Sequence, residues 1–204
     1  MPQPIFYFDF GSPNAFLCHR VIPGIEDRTG VTFHYVPILL GGLFKLTGNQ
    51  SPITAFAGIP NKLRYQMLET QRFVARHDIA DFVFNPHFPV NTLLLMRGAI
   101  AASDLGIFRA YVNRVYDDLW TRGLDMGQAD IVAASLRAAG LPADEIFTRA
   151  QSDRVKQRLL DNTRAAHDAG AFGSPSFVVD DELFFGKDRL RDVEEEIIRR
   201  TPRR

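Results

Sequence analysis

Ile5 to Phe10 is an aromatic-rich apolar run bounded by Pro4 and Gly11, which predicts a buried strand. From Asn14 to about Asp27 the spacing changes. Ala15, Leu17, Cys18, Val21, Ile22 and Ile25 recur three and four apart, the period of an amphipathic helix. Pro23 within that run predicts a kink or an early end, and Gly30 predicts the stop. Val31 to Pro37 reads as a second strand. Strand, helix and strand in this order form a βαβ unit, so the two strands are expected to run parallel.

The middle of the chain carries no strand pattern. Gly41, Gly42, Gly48 and Pro52 predict a loop-rich passage. Helices are predicted over 61–78 (Leu63, Met67 and Val74 inward), over the almost wholly apolar 91–105, over 107–120 and over 128–139. A short helix follows Pro142, and a longer one runs from about Ser152 to Asp168. After the turn 170–175, Ser176–Val179 and Leu183–Phe185 predict a hairpin. Gly186-Lys187-Asp188-Arg189 opens a last helix, with Leu190, Val193, Ile197 and Ile198 inward.

The order βαβ, helical block, αββα predicts an α/β fold: a four-stranded mixed sheet with helices on its faces and a large all-helical insertion. Residues 1–40 and 152–204 would form a discontinuous sheet domain, and 41–151 the insertion. There is no internal repeat and no low-complexity segment.

Charge narrows the partners. Lys+Arg and Asp+Glu both total 24 in 204 residues, so no basic excess favours nucleic acid. Arg199, Arg200, Arg203 and Arg204 read as a solvated tail. No stretch reaches the roughly 18 apolar residues of a membrane span. Met1-Pro2-Gln3-Pro4 opens without a basic segment followed by a long apolar one. A cytoplasmic location is therefore expected. Cys18 is the single cysteine, so an intrachain disulfide is excluded and a small apolar role on the helix is expected. The five histidines lack metal-ligand spacing, and no metal is expected.

The candidate chemistry lies at Ser12-Pro13. Ser12 suits an N-cap and Pro13 the first helical position. A helix that starts straight after a strand exposes unpaired N–H groups and a partial positive charge. That end stabilises a thiolate, carboxylate or phosphate. Asp9 reads as structural, bonding nearby backbone.

Three motifs carry a family resemblance. They are Tyr7-Phe8-Asp9-Phe10-Gly11-Ser12-Pro13, Gly170-Ala171-Phe172-Gly173-Ser174-Pro175 and Phe185-Gly186-Lys187-Asp188-Arg189. With them the chain resembles 2-hydroxychromene-2-carboxylate isomerases, which stand with kappa-class glutathione transferases in the DsbA-like branch of the thioredoxin superfamily. The resemblance covers nearly the whole length. It implies that Ser12 and Ala15 occupy the positions of the two cysteines of a disulfide oxidoreductase, so disulfide cycling is excluded. It implies that glutathione supplies the sulfur as cofactor, with Ser12 donating a hydrogen bond to its thiolate. Ser174-Pro175 matches the cis-proline loop that pairs with the cysteinyl part. Asn49 and Lys62 match positions for the glutathione backbone and its glycyl end, and Asp188 and Arg189 the segment for the γ-glutamyl end. The partner implied is a small aromatic substrate, and a homodimer is the expected assembly. Asn14, Glu69 and Ser174 depart from the usual pattern, which bears on the electrophile accepted.

The activity implied is glutathione-dependent isomerisation of a hydroxychromene carboxylate or related aromatic catabolite. A kappa-like transferase and a redox-inactive thioredoxin-like binding module are the alternatives. A free thiol has a pKa near 8.5, and lowering it by about two units takes roughly 2.7 kcal/mol. A helix N-terminus supplies up to ~2 kcal/mol and a hydroxyl hydrogen bond to an anion roughly 1.5–3 kcal/mol. The two suffice together.

Overall fold

The computed structural model describes residues 2–202. Strand β1 (Ile5–Phe8), helix α1 (Pro13–Thr29) and strand β2 (His34–Pro37) open the chain. β1 and β2 are parallel, with Phe6 beside Tyr35 and Phe8 beside Pro37. Helices α2 (Leu40–Thr47), α3 (Pro52–Ala55), α4 (Pro60–Arg76), α5 (Leu93–Asp104), α6 (Phe108–Trp120), α7 (Ala129–Ala138) and α8 (Ala143–Ala150) follow. The chain then returns through α9 (Asp153–Asp168), the hairpin β3 (Ser176–Val179) and β4 (Glu182–Phe185), a 3₁₀ turn (Lys187–Arg189) and α10 (Leu190–Arg200). The sheet is four-stranded and mixed, in the order β2-β1-β3-β4, with β3 antiparallel to both neighbours.

The period-two pattern of β1 sorts two cores. Phe6, Phe8 and Phe177 point to one face, where α1, α5, α6 and α10 pack. Phe6 stacks on Phe177 at 5.0 Å and meets Tyr35 edge-on at 4.9 Å. Tyr7 and Val178 point to the other face, against Leu43 of α2 and Ala166 of α9.

Several boundaries differ from the sequence reading. β1 ends at Phe8 and not Phe10, because Asp9 leaves the ladder to serve the loop that follows. β2 starts at His34 and not Val31. Pro23 does not end α1: its ring lies on the exposed side, and the helix runs on to Gly30, whose φ of 68° closes it. The passage expected as loop contains α2 and α3. Leu40, Leu43 and Phe44 supply a helical period across Gly41 and Gly42, and Gly48, at φ 66°, is the cap. α4 turns Val74 toward the core as predicted, but not Met67. Phe73 is its one buried residue, while Met67 is 65% exposed.

Arg199 and Arg200 belong to α10 and are not a free tail. Arg199 pairs with Glu182 and Glu196, and Arg200 with Asp180, Asp181, Glu182 and Glu196, which ties α10 to the hairpin. Arg203 and Arg204 lie outside the described residues. Among the described residues no helix is long and apolar enough to cross a membrane.

Candidate functional site

The site grows from the end of β1. Ser12 adopts an extended conformation, and its Oγ accepts from the Ala15 N–H at 3.2 Å, a side-chain cap on α1, with Pro13 in the first turn. The Ser12 hydroxyl donates to the main-chain carbonyl of Ser174 at 2.8 Å. The Ser174–Pro175 bond is cis, as the resemblance implies. The start of a helix of 17 residues and the cis-proline loop therefore meet at one hydroxyl.

Asp9 organises the floor. Its carboxylate accepts from the Gly11 N–H at 2.8 Å, the Thr92 hydroxyl at 2.7 Å and the Leu40 N–H at 2.8 Å. One buried side chain thus joins the Ser12 loop to the starts of α5 and α2. Burial raises its carboxyl above the usual range, and the bonds from Leu40, Gly11 and Thr92 oppose that rise.

The other candidates surround this centre in different ways. The Asn49 side-chain amide donates to the Phe172 carbonyl at 2.8 Å, bracing the loop that leads into Ser174. Lys62 is exposed, its ammonium 3.6 Å from the centroid of the Phe56 ring. Among the described residues it has no carboxylate partner within ion-pair distance. Asp188 is exposed and accepts from the Lys187 ammonium at 2.6 Å. Arg189 pairs with Asp192 at 3.1 Å, along its own stretch of chain. Asn14 is half-buried in the first turn of α1, and Glu69 pairs with Arg72 on α4.

Sequence reasoning missed Lys187. Only 4% of this residue is exposed, and its ammonium sits 5.3 Å from the Phe73 ring centroid as well as on Asp188. The one available signal was its place between Gly186 and Asp188 in the third motif. The way the loop before Thr92 is pinned also went unforeseen. Phe88–Pro89 is a second cis bond, and Asn85, buried, donates to the carbonyls of Leu119 and Leu124 at 2.9 Å each. On that pinned loop Phe84 is 54% exposed, with its ring edge-on to Phe88 at 5.3 Å and to Trp120 at 6.0 Å.

Cys18 is fully buried, and desolvation pushes its thiol well above the usual value. It is no nucleophile. Two surface cavities, of about 270 and 390 Å³, open beside β2 and beside His19, and Ser12 lines neither. Among the described residues no group of three His, Cys, Asp or Glu is placed to hold a metal.

Fold and site define a DsbA-like scaffold with serine at the head of α1. The chain belongs to the DSBA-like thioredoxin domain family, matched over residues 5–198. It is 28% identical over 193 residues to a 2-hydroxychromene-2-carboxylate isomerase of Sphingobium xenophagum, covering 93% of this chain and 94% of that one. It is 26% identical over 197 residues to glutathione S-transferase kappa 1 of Rattus norvegicus, covering 90% and 85%. The solved structure of a 2-hydroxychromene-2-carboxylate isomerase superposes with a TM-score of 0.83 at 26% identity, covering 97% of this chain and 95% of that one.

Proposed function

We propose that the protein is a glutathione-dependent isomerase that interconverts 2-hydroxychromene-2-carboxylate, or a related aromatic catabolite, with its ring-opened benzylidenepyruvate form. The observation that carries this reading is the Ser12 hydroxyl, held at the α1 N-terminus and donating toward the cis-proline loop at 2.8 Å. It is a donor and not a thiol, and the chain's one thiol is buried and inert. The site is thus equipped to hold a sulfur that the chain does not itself provide. The kappa-class relatives support glutathione as its source.

Glutathione, when bound, supplies a thiolate whose reversible addition lets the chromene ring open, a bond turn and the sulfur leave unchanged. The chain's own residues do the rest. The Ser12 hydroxyl turns its hydrogen from the Ser174 carbonyl to the sulfur, and the first-turn amides of α1 favour its negative charge. The main chain at Ser174 pairs with the cysteinyl part. Asn49 and Lys62 take the backbone and the glycyl carboxylate. Asp188 and Arg189, with Lys187 behind Asp188, serve the γ-glutamyl end. The exposed ring of Phe84, backed by Phe88 and Trp120, offers a π surface to an aromatic substrate.

On this reading residues 1–40 and 152–204 form the thioredoxin-like part, and 41–151 the helical insertion beside it. The exposed apolar side chains Ile53, Ile59, Tyr65, Met67 and Leu68 support a homodimer contact on α3 and α4. A lone buried cysteine suits a reducing compartment, and we place the protein in the cytoplasm.

A second reading, kappa-like conjugation of glutathione to electrophiles, is favoured by the rat relative. The two differ in stoichiometry. An ultraviolet assay with hydroxychromene carboxylate, with and without glutathione, decides between them when free thiol is counted at the end. Interconversion without thiol loss supports the isomerase, and thiol consumption supports the transferase. No spectral change, with no glutathione binding, leaves a thioredoxin-like binding module.

A further inference from the structure

Tyr7 faces Ser176 in the antiparallel β1–β3 ladder, and the register carried two residues further sets Asp9 opposite Ser174. The ladder does not continue there: the Asp9 carbonyl takes the Ser12 N–H and the Ser174 carbonyl takes the Ser12 hydroxyl, while Pro175 faces the other way, its carbonyl accepting from the Gly186 N–H. Asp9 is 1% exposed, so its own N–H needs a partner inside the protein. The Ser174 Oγ takes it at 3.1 Å. The carbonyl of the same residue accepts the Ser12 hydroxyl at 2.8 Å. Ser174 thus grips both ends of the segment Asp9–Ser12, with its side chain at the first residue and its main chain at the last. The segment is closed on itself by the Ser12 N–H donating to the Asp9 carbonyl at 3.0 Å.

Ser12 has one hydroxyl hydrogen to direct, and its oxygen already accepts from Ala15. In the ligand-free protein the Ser174 carbonyl takes that hydrogen, and the Ser174 hydroxyl decides where the carbonyl stands. We propose that the side-chain hydroxyl of Ser174 is a positioning group for Ser12. It replaces the missing ladder bond at Asp9, fixes the cis-proline loop against the end of β1, and so fixes where the Ser12 oxygen stands when its hydrogen turns from the Ser174 carbonyl to the sulfur. The inference rests on the glutathione reading above and assigns within it the task of the Ser174 side chain.

Ser174→Thr and Ser174→Val have nearly the same shape and differ by the hydroxyl. Two readouts compare them with the wild type: the pH titration of thiolate absorbance in the glutathione-saturated protein, and amide hydrogen exchange at Asp9 in the ligand-free protein. Ser174→Thr is expected to keep both wild-type values. Ser174→Val is expected to raise the bound thiol by about one pKa unit, a tenfold fall in the ratio of thiolate to thiol. It is also expected to speed Asp9 exchange by about tenfold or more, since the buried N–H loses its acceptor. Ser174→Ala makes the same deletion should the valine variant not fold. Thr and Val variants that titrate and exchange alike would overturn the inference while a lowered wild-type thiol kept the glutathione reading. A wild-type protein that leaves the thiol of glutathione at its free value would instead remove that reading, and the inference with it.

Discussion

The indole N–H of Trp120 donates to the main-chain carbonyl of Phe10 at 2.8 Å, a bond between the last residue of α6 and the loop that leads into Ser12. Both residues are buried, so the carbonyl has no access to water once the donor is removed. Trp120→Phe keeps an aromatic ring and deletes the bond. It is expected to cost about 1–3 kcal/mol of stability in urea unfolding, the penalty of a buried unpaired acceptor. An unchanged midpoint would mean that the bond does not hold the loop.

His19 gives the fold a pH dependence. Burial first, and the Arg109 charge second, lower its pKa from 6.5 to about 3, while its Nδ1 lies 3.0 Å from the Tyr35 hydroxyl. In the unfolded chain His19 binds a proton below about pH 6.5, and in the folded chain it stays neutral. Stability is therefore full above that value and falls as pH drops toward 3. At pH 5 the loss from this group is about 2 kcal/mol. His19→Gln is expected to flatten that part of the stability–pH curve, and an identical curve would exclude His19 as its source.

Cys18 lies inside α1, where burial keeps it protonated. Alkylation by iodoacetamide at pH 7 is expected to be slower by about a hundredfold or more in the native protein than in urea, because it waits on opening of the fold. Equal rates would place the thiol at the surface.

Lys187 separates stability from binding. Its Asp188 partner is 64% exposed and keeps its water when the lysine goes. Lys187→Met fills similar volume, so stability is expected to change by no more than about 1 kcal/mol. Glutathione binding is expected to weaken by about tenfold, through loss of the group that orients Asp188. Calorimetry with unchanged affinity would remove Lys187 from the site.

The βαβ opening was legible because local chemistry and global fold agree there. An aromatic run stops at Gly11, Ser12 caps, Pro13 starts the helix and Gly30 ends it. The hairpin was legible for the same reason. The lost boundaries depend on distant residues. β1 ends where it does because of the bonds of Asp9 and Ser174, residues more than 160 positions apart. The period of α4 predicts a helix but not the whole of its inward face, because only tertiary packing chooses Phe73 over Met67. Gly41 and Gly42 hid α2, whose Leu43 is held in the core beneath the sheet. At the site, Ser12 and Pro175 could be read from motifs. Lys187 could not, since a lysine is seldom buried.

The central claim is that Ser12 and the start of α1 bind glutathione as a thiolate. Calorimetry of glutathione binding at pH 7, repeated in buffers of different ionisation heat, counts the protons released. A bound thiol lowered by about two units from 8.5 releases roughly 0.7 of a proton at pH 7. The account predicts that value for the wild type, a much smaller one for Ser12→Ala, and none for S-methylglutathione. Binding without proton release, or equal release by wild type and Ser12→Ala, would contradict it.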